Sequence, residues 1–112
     1  MPDALHRRVA AYLREHHVMT LATHGGEGVW AAAVFYVSDG FNLIFLSSPS
    51  SRHCRNLAES PRVAATVQED YADWPEIKGV QLEGIAREIS SELEKQARHI
   101  YGEKFPVIRA LA

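Results

Sequence analysis

The chain has 112 residues, of which 46% are hydrophobic, with 12 basic and 14 acidic side chains and a net charge of -2. That length supports one domain with its own core, and the near-neutral balance excludes a general basic field for nucleic acid or an anionic membrane. No apolar run reaches the roughly 18 residues a bilayer span requires and the N-terminus has no apolar signal core, so the expectation is a cytoplasmic protein. A single cysteine, Cys54, rules out an intramolecular disulfide and any multi-cysteine metal site.

In chain order, Asp3 is placed to cap a helix over residues 4–16, because Leu5, Val9 and Leu13 recur at helical spacing while Arg7, Arg8, Arg14 and Glu15 take other faces. Three antiparallel strands follow, at 18–24, 28–37 and 41–47. They are separated by Gly25-Gly26-Glu27-Gly28 and Ser38-Asp39-Gly40-Phe41-Asn42, both suited to tight hairpins. A short helix over 51–59 ends at Ser60-Pro61, and Arg62 to Asp70 supplies a fourth strand. Beyond the loop YADWPEI, a fifth strand begins at Lys78, with Val80, Leu82 and Ile85 expected to face inward around Gly84. Ser91 and Glu94 form a capping-box pattern, and Leu93, Ala97, Ile100 and Tyr101 define one stripe of a last helix reaching Gly102. This string of elements describes an α+β domain whose antiparallel sheet curls into a small barrel, since closure removes exposed edges; an open sheet with helices on one face fits the same string.

Residues 45–57, FLSSPSSRHCRNL, carry the first chemical signal. Ser47, Ser48, Ser50 and Ser51 surround Pro49, and Arg52 and His53 open a helix where free amides and the positive dipole end favour an anion. Taken alone, the same features also describe an ordinary capped helix with a solvated arginine. Metal chemistry has little support. His16 and His17 are adjacent, His24, His53 and His99 lie on different elements, and no H-x-x-x-H spacing occurs. The carboxylates Glu27, Asp39, Asp70, Asp73 and Glu76 fall in turns and loops, where solvation is their ordinary role, and no acid/base pair stands out. Trp30, Phe35, Tyr36 and Phe45 are core candidates, whereas Trp74, in a loop, is placed to cover a cofactor or a subunit interface.

The strand end IFLSS, the turn SSRH, the segment NLAESPRVAATV and the strand KGVQLEGIAREIS, taken in this order, resemble the pyridoxamine 5'-phosphate oxidase-like flavin-binding split-barrel superfamily over about residues 15–90. A small subgroup with a T-R-H or S-R-H turn and a K-F-P-V-x-R segment, here Lys104 to Arg109, is the nearest match. The resemblance implies a split β-barrel with flanking helices, a homodimer, and flavin mononucleotide (FMN) at the subunit interface. By the same carry-over, Arg52 and His53 hold the phosphate, with Ser51, Ser47 and the backbone of Leu46 near the phosphate or ribityl chain. The strand from Ala31 through Ala32, Ala33, Val34 and Phe35 to Tyr36 lies along the ring and offers main-chain hydrogen bonds. His53 departs from the family's usual Lys, and Ala31 and Tyr36 stand where basic residues often flank the first flavin strand. The family's Gln at the start of the fifth strand corresponds to Gln81, two positions late, or to Gln68. Family members continue past the last helix into a final strand that this chain is expected to lack, which removes the pyridoxamine phosphate substrate residues. The implied function is a flavin-dependent oxidoreductase acting on an unidentified small molecule. A flavin, deazaflavin or heme storage module, with His53, His17 or His24 as a heme ligand, and a purely structural dimer are the competing readings.

Overall fold

A computed structural model describes residues 3–106. It contains helix α1 (Ala4–Glu15), strands β1 (Val18–Gly25), β2 (Gly28–Phe35), β3 (Val37–Asp39) and β4 (Asn42–Ile44), helix α2 (Arg52–Glu59), β5 (Arg62–Gln68), a short 3-10 turn (Trp74–Glu76), β6 (Gly79–Ile85) and α3 (Ser91–Lys104). A four-stranded antiparallel sheet has the order β2-β1-β5-β6, and β3 and β4 form a separate two-stranded ladder. This is an α+β domain with the divided sheet of a split barrel.

Both glycine-bearing turns close hairpins. Gly25 pairs with Gly28 across β1 and β2, and Gly28 has φ 101°. Asp39 pairs with Asn42, leaving a two-residue loop whose first position, Gly40, has φ 63°; a turn with positive φ at that position selects glycine. The expected strand 28–37 divides at Tyr36. The Tyr36 amide still donates to the His17 carbonyl at 2.9 Å, but Val37 already pairs with Ile44 in the second sheet. Tyr36 is fully buried at this corner, and its hydroxyl donates to the Leu13 carbonyl at 2.7 Å, an anchor that bends the chain out of the first sheet. Burial also pushes the phenol pKa up to about 12.

Alternation along the strands sorts residues onto two faces. Met19 and Leu21 of β1, Val34 of β2, and Ala65 and Val67 of β5 join Leu13 and Tyr36 in the core, with Val80 and Leu82 of β6 packed against it. Ile85, expected inward, is 64% exposed. It stands an odd number of residues from Val80 and shares the opposite face, so the Gly84 position did not shift the alternation. Leu5 is likewise exposed although it continues the stripe of Val9 and Leu13, because it lies in the first turn of α1.

Asp3 caps α1 as expected, its Oδ1 accepting from the His6 amide at 2.8 Å. The cap of α3 is Ser90 rather than Ser91, and no side chain bonds there. Its backbone carbonyl receives the Leu93 and Glu94 amides, while the Glu94 carboxylate that a capping box would use is paired with Arg98 at 3.0 Å. Helix α3 runs through Gly102 to Lys104, whose ammonium bonds the His16 carbonyl at the end of α1 and lies 4.6 Å from the centre of the Tyr36 ring. Phe105 then packs on Tyr101 and Phe35. Val107 to Arg109 of the K-F-P-V-x-R segment lie outside the described residues. Among the described residues, no helix is long and apolar enough to cross a membrane.

Candidate functional site

Ser51 is the N-cap of α2, its hydroxyl oxygen accepting from the Cys54 amide at 3.3 Å. Helix geometry leaves the amides of Arg52 and His53 without an intrahelical acceptor. The His53 ring reaches back to the end of the strand segment: Nε2 lies 2.8 Å from Ser47 Oγ and 3.3 Å from Ser51 Oγ. Burial lowers the His53 pKa, so the neutral imidazole dominates at neutral pH. Arg52 turns the other way, to the β1–β2 hairpin. Its Nη2 donates to the Glu27 carbonyl at 2.6 Å, its Cζ lies 4.3 Å from the centre of the Trp30 ring, and its Nε is buried without a partner.

The hairpin tip is fastened to α2 by further bonds. Arg55 grips the Glu27 carboxylate with Nε at 2.7 Å and Nη2 at 2.9 Å, and this hydrogen-bonded pairing holds the Glu27 carboxyl below its ordinary pKa. The Gly26 amide donates to Glu59 at 3.2 Å. Asn56, fully buried, donates from Nδ2 to Thr23 Oγ1 at 3.1 Å and to the Gly28 carbonyl at 3.4 Å. A Cβ at Gly25 would come within 2.7 Å of Asn56 Oδ1, so the close approach of β1 and α2 depends on glycine there.

Strand β2 is an edge strand of its sheet. Because the Tyr36 amide bonds inward to His17, the antiparallel alternation turns the N–H and C=O groups of Phe35, Ala33 and Ala31 to the open side; in keeping with this, the Tyr101 hydroxyl reaches the Phe35 carbonyl at 3.5 Å. Side chains divide differently. Val34 and Tyr36 are buried in the core and Ala32 is partly buried, whereas Ala31, Ala33 and Phe35 are exposed. Leu46, exposed, follows β4.

Of the residues singled out from sequence, the fold therefore gathers Ser47, Ser51 and His53 into one hydrogen-bonded group, sets Arg52 beside them, and brings β2 alongside α2. It does not bring Gln81 there. Gln81 lies on β6 at the far end of the sheet, exposed and paired with Thr66, three strand spacings or about 14 Å from β2. With Thr20, Ala22, Ala64, Thr66 and Glu83 it lines an open depression of about 470 Å³ on the outer face. His17 and His24 stand apart from the group: His17 packs edge-on to Phe105 and His24 Nε2 bonds Ser60 Oγ at 2.8 Å. Trp74 is almost fully exposed. Sequence reasoning passed over Trp30, taken for core, and Glu27, taken for solvated turn. The available signal was the position of both in or beside a hairpin whose neighbour in space had to be the arginine-bearing helix. Among the described residues, no three His, Cys, Asp or Glu side chains are placed to hold a metal ion.

Comparison with known proteins agrees with this fold. A UPF0306 protein of Photorhabdus laumondii is 36% identical over 98 residues, covering 86% of this chain and 68% of the relative. A UPF0306 protein of Yersinia pestis is 34% identical over 100 residues, covering 88% and 68%. Among solved structures, the heme storage protein HutZ from Vibrio cholerae superposes with a TM-score of 0.75 at 26% identity, covering 94% of this chain and 79% of that one. A heme binding protein from Mycobacterium smegmatis gives 0.73 at 29% identity over 98% of this chain, which spans 46% of that protein. The family model described as pyridoxamine 5'-phosphate oxidase matches residues 5–110, and with the divided sheet and the Ser-Arg-His turn already in place, the chain belongs to that family.

Proposed function

We propose that the protein binds FMN, as a homodimer with the flavin at the subunit interface, and serves as a flavin-dependent oxidoreductase for a small molecule. The observation that carries this reading is the hydrogen-bonded group of Ser47, Ser51 and His53 at the open N-terminus of α2, with Arg52 next to it in the chain and reaching to the hairpin of β1 and β2. The residues fit the group in chemical kind. The free amides of Arg52 and His53, the hydroxyls of Ser47 and Ser51 and the Arg52 guanidinium are donors suited to a phosphate. Backbone N–H and C=O groups of Ala31, Ala33 and Phe35 match the alternating donors and acceptors on the polar edge of an isoalloxazine. The cofactor, when bound, supplies the hydride or electron transfer, which is why the site shows no acid/base dyad of its own.

One feature supports the homodimer. The outer face of the sheet has a floor of small residues, Ala22, Ala31, Ala33, Ala64, Thr20 and Thr66, rimmed by Val29 (81% exposed), Phe35 (57%) and Ile85, a surface of the kind that a second copy covers.

A second reading, heme binding, is favoured by the two structural relatives described as heme proteins. His53, neutral and half-buried, has the protonation state of an axial ligand. One experiment separates the two: an absorption spectrum of the freshly purified protein, followed by equilibrium titration with FMN, riboflavin and hemin. Flavin bands and a preference for FMN over riboflavin are expected. A Soret band, with hemin binding tightly and FMN not at all, overturns the flavin reading.

A further inference from the structure

Arg52 is held in place by more than its own helix. Trp30 sits in the inward-facing row of β2, yet it is 42% exposed and stands outside the core cluster. Its indole instead carries the Arg52 guanidinium, 4.3 Å from the ring centre, within the range of cation–π attraction. One edge of the guanidinium is fixed by the bond from Nη2 to the Glu27 carbonyl. The anion nearest to it, the Glu27 carboxylate, is occupied by Arg55 through two bonds, and Arg55 is itself tied to the Ser50 carbonyl. These contacts hold the guanidinium and occupy the Glu27 carboxylate with Arg55, while a guanidinium has five N–H donors and the bond to the Glu27 carbonyl uses one of them.

We infer that Trp30 is a positioning residue: with the hairpin tip, it pre-orients Arg52 so that the site selects a phosphorylated ligand over the same ligand without its phosphate. The inference rests on the flavin-site reading above and goes beyond it by naming what confers the selectivity. A flexible arginine loses rotamer freedom when it grips a phosphate; one already stacked on an indole loses less, and the difference appears as affinity for the phosphate alone.

The test measures FMN and riboflavin dissociation constants for the wild type, Trp30→Leu, Trp30→Phe, Arg52→Ala and the double variant Trp30→Leu/Arg52→Ala, with melting temperatures beside them. Trp30→Leu keeps apolar bulk and removes the π face. It should weaken FMN about fivefold to tenfold, as expected for losing a partly desolvated cation–π contact, and leave riboflavin unchanged. Trp30→Phe should recover most of that loss. In the Arg52→Ala background, Trp30→Leu should have no further effect, the non-additivity expected of a residue acting through Arg52. Equal losses for both flavins, additive effects in the cycle, or an unchanged FMN constant in Trp30→Leu overturn the inference while the flavin reading stands. Failure of the wild type to bind either flavin overturns the flavin reading, and this inference falls with it.

Discussion

The end of the sheet where α2 meets the β1–β2 hairpin and the outer face of the same sheet are made of opposite materials. At the first, polar groups are tied in pairs, Arg55 with Glu27, Arg52 with the Glu27 carbonyl, Asn56 with Thr23 and Gly26 with Glu59, although Arg52 Nε and Asn56 Oδ1 are buried without partners. On the second, alanines and threonines form a floor among exposed Val18, Val29 and Phe35, with Gln81 and Glu83 of β6 along one side. A polar region fixed in this way loses little entropy when it meets a small charged ligand, whereas a smooth apolar one gains by losing water over a wide area. The two regions share strands β1 and β2, so under the proposed function one short stretch of chain would serve a ligand site on one side and a contact surface on the other.

The largest expected effect tests the outer face. Ala22→Glu places a charge in the middle of the floor, between Ala31 and Ala64, and should weaken self-association about a hundredfold or more, because an unpaired charge at the centre of an interface has no compensation. Sedimentation reads this out. A dimer that persists unchanged assigns the contact to another surface. Next is Asn56→Ala at the polar end, which leaves Thr23 Oγ1 without its buried donor and empties a fully buried position; the loss should be about 1–3 kcal/mol in denaturant unfolding. An effect near zero would mean that the α2–hairpin bonds contribute little to holding the site.

Arg52→Ala comes third, with FMN weakened about tenfold, riboflavin nearly unaffected and the melting temperature lowered, since the side chain stacks on Trp30 and bonds the hairpin. Loss of stability with no change in FMN affinity would reduce Arg52 to a clamp. The smallest effect concerns His53. Its folded-state pKa is depressed by burial, so the unfolded chain takes up the proton first. The stability that comes from keeping it neutral is present above the unfolded value of about 6.5 and is lost as pH falls through that value toward the folded pKa. The melting temperature of the ligand-free protein should decline below about pH 6.5, and His53→Gln should flatten that part of the profile; an identical slope in both proteins would place the titrating group elsewhere.

Much of this architecture is legible in the residues because it depends on local rules. Turn glycines at 28 and 40, the alternation through Met19, Leu21 and Val34, and the serine before Arg52 each act over a few positions. The division of the expected strand 28–37 at Tyr36 is not, since it rests on a hydrogen bond to Leu13 23 residues earlier. The same holds at the site. Ser47, Ser51, Arg52 and His53 declare themselves as a cluster in one segment, but the partnerships of Trp30 and Glu27 with α2 span more than 20 residues and exist only once α2 is laid across the hairpin. Gln81 illustrates the converse: a residue chosen from the family resemblance falls at the far edge of the sheet, away from the group formed by the other candidates.

The eight residues of β2, Gly28 to Phe35, contain no charge and no proline, and one side of that strand has no neighbouring strand. Such a segment is a template for intermolecular strand addition. Under the proposed function solubility is tied to occupancy: a ligand or second copy covering β2 would also protect the chain from aggregation, and conditions that strip it away should precipitate the protein before they unfold it. A lysine introduced at Val29, near the end of that strand, is the natural choice for keeping the uncovered form in solution.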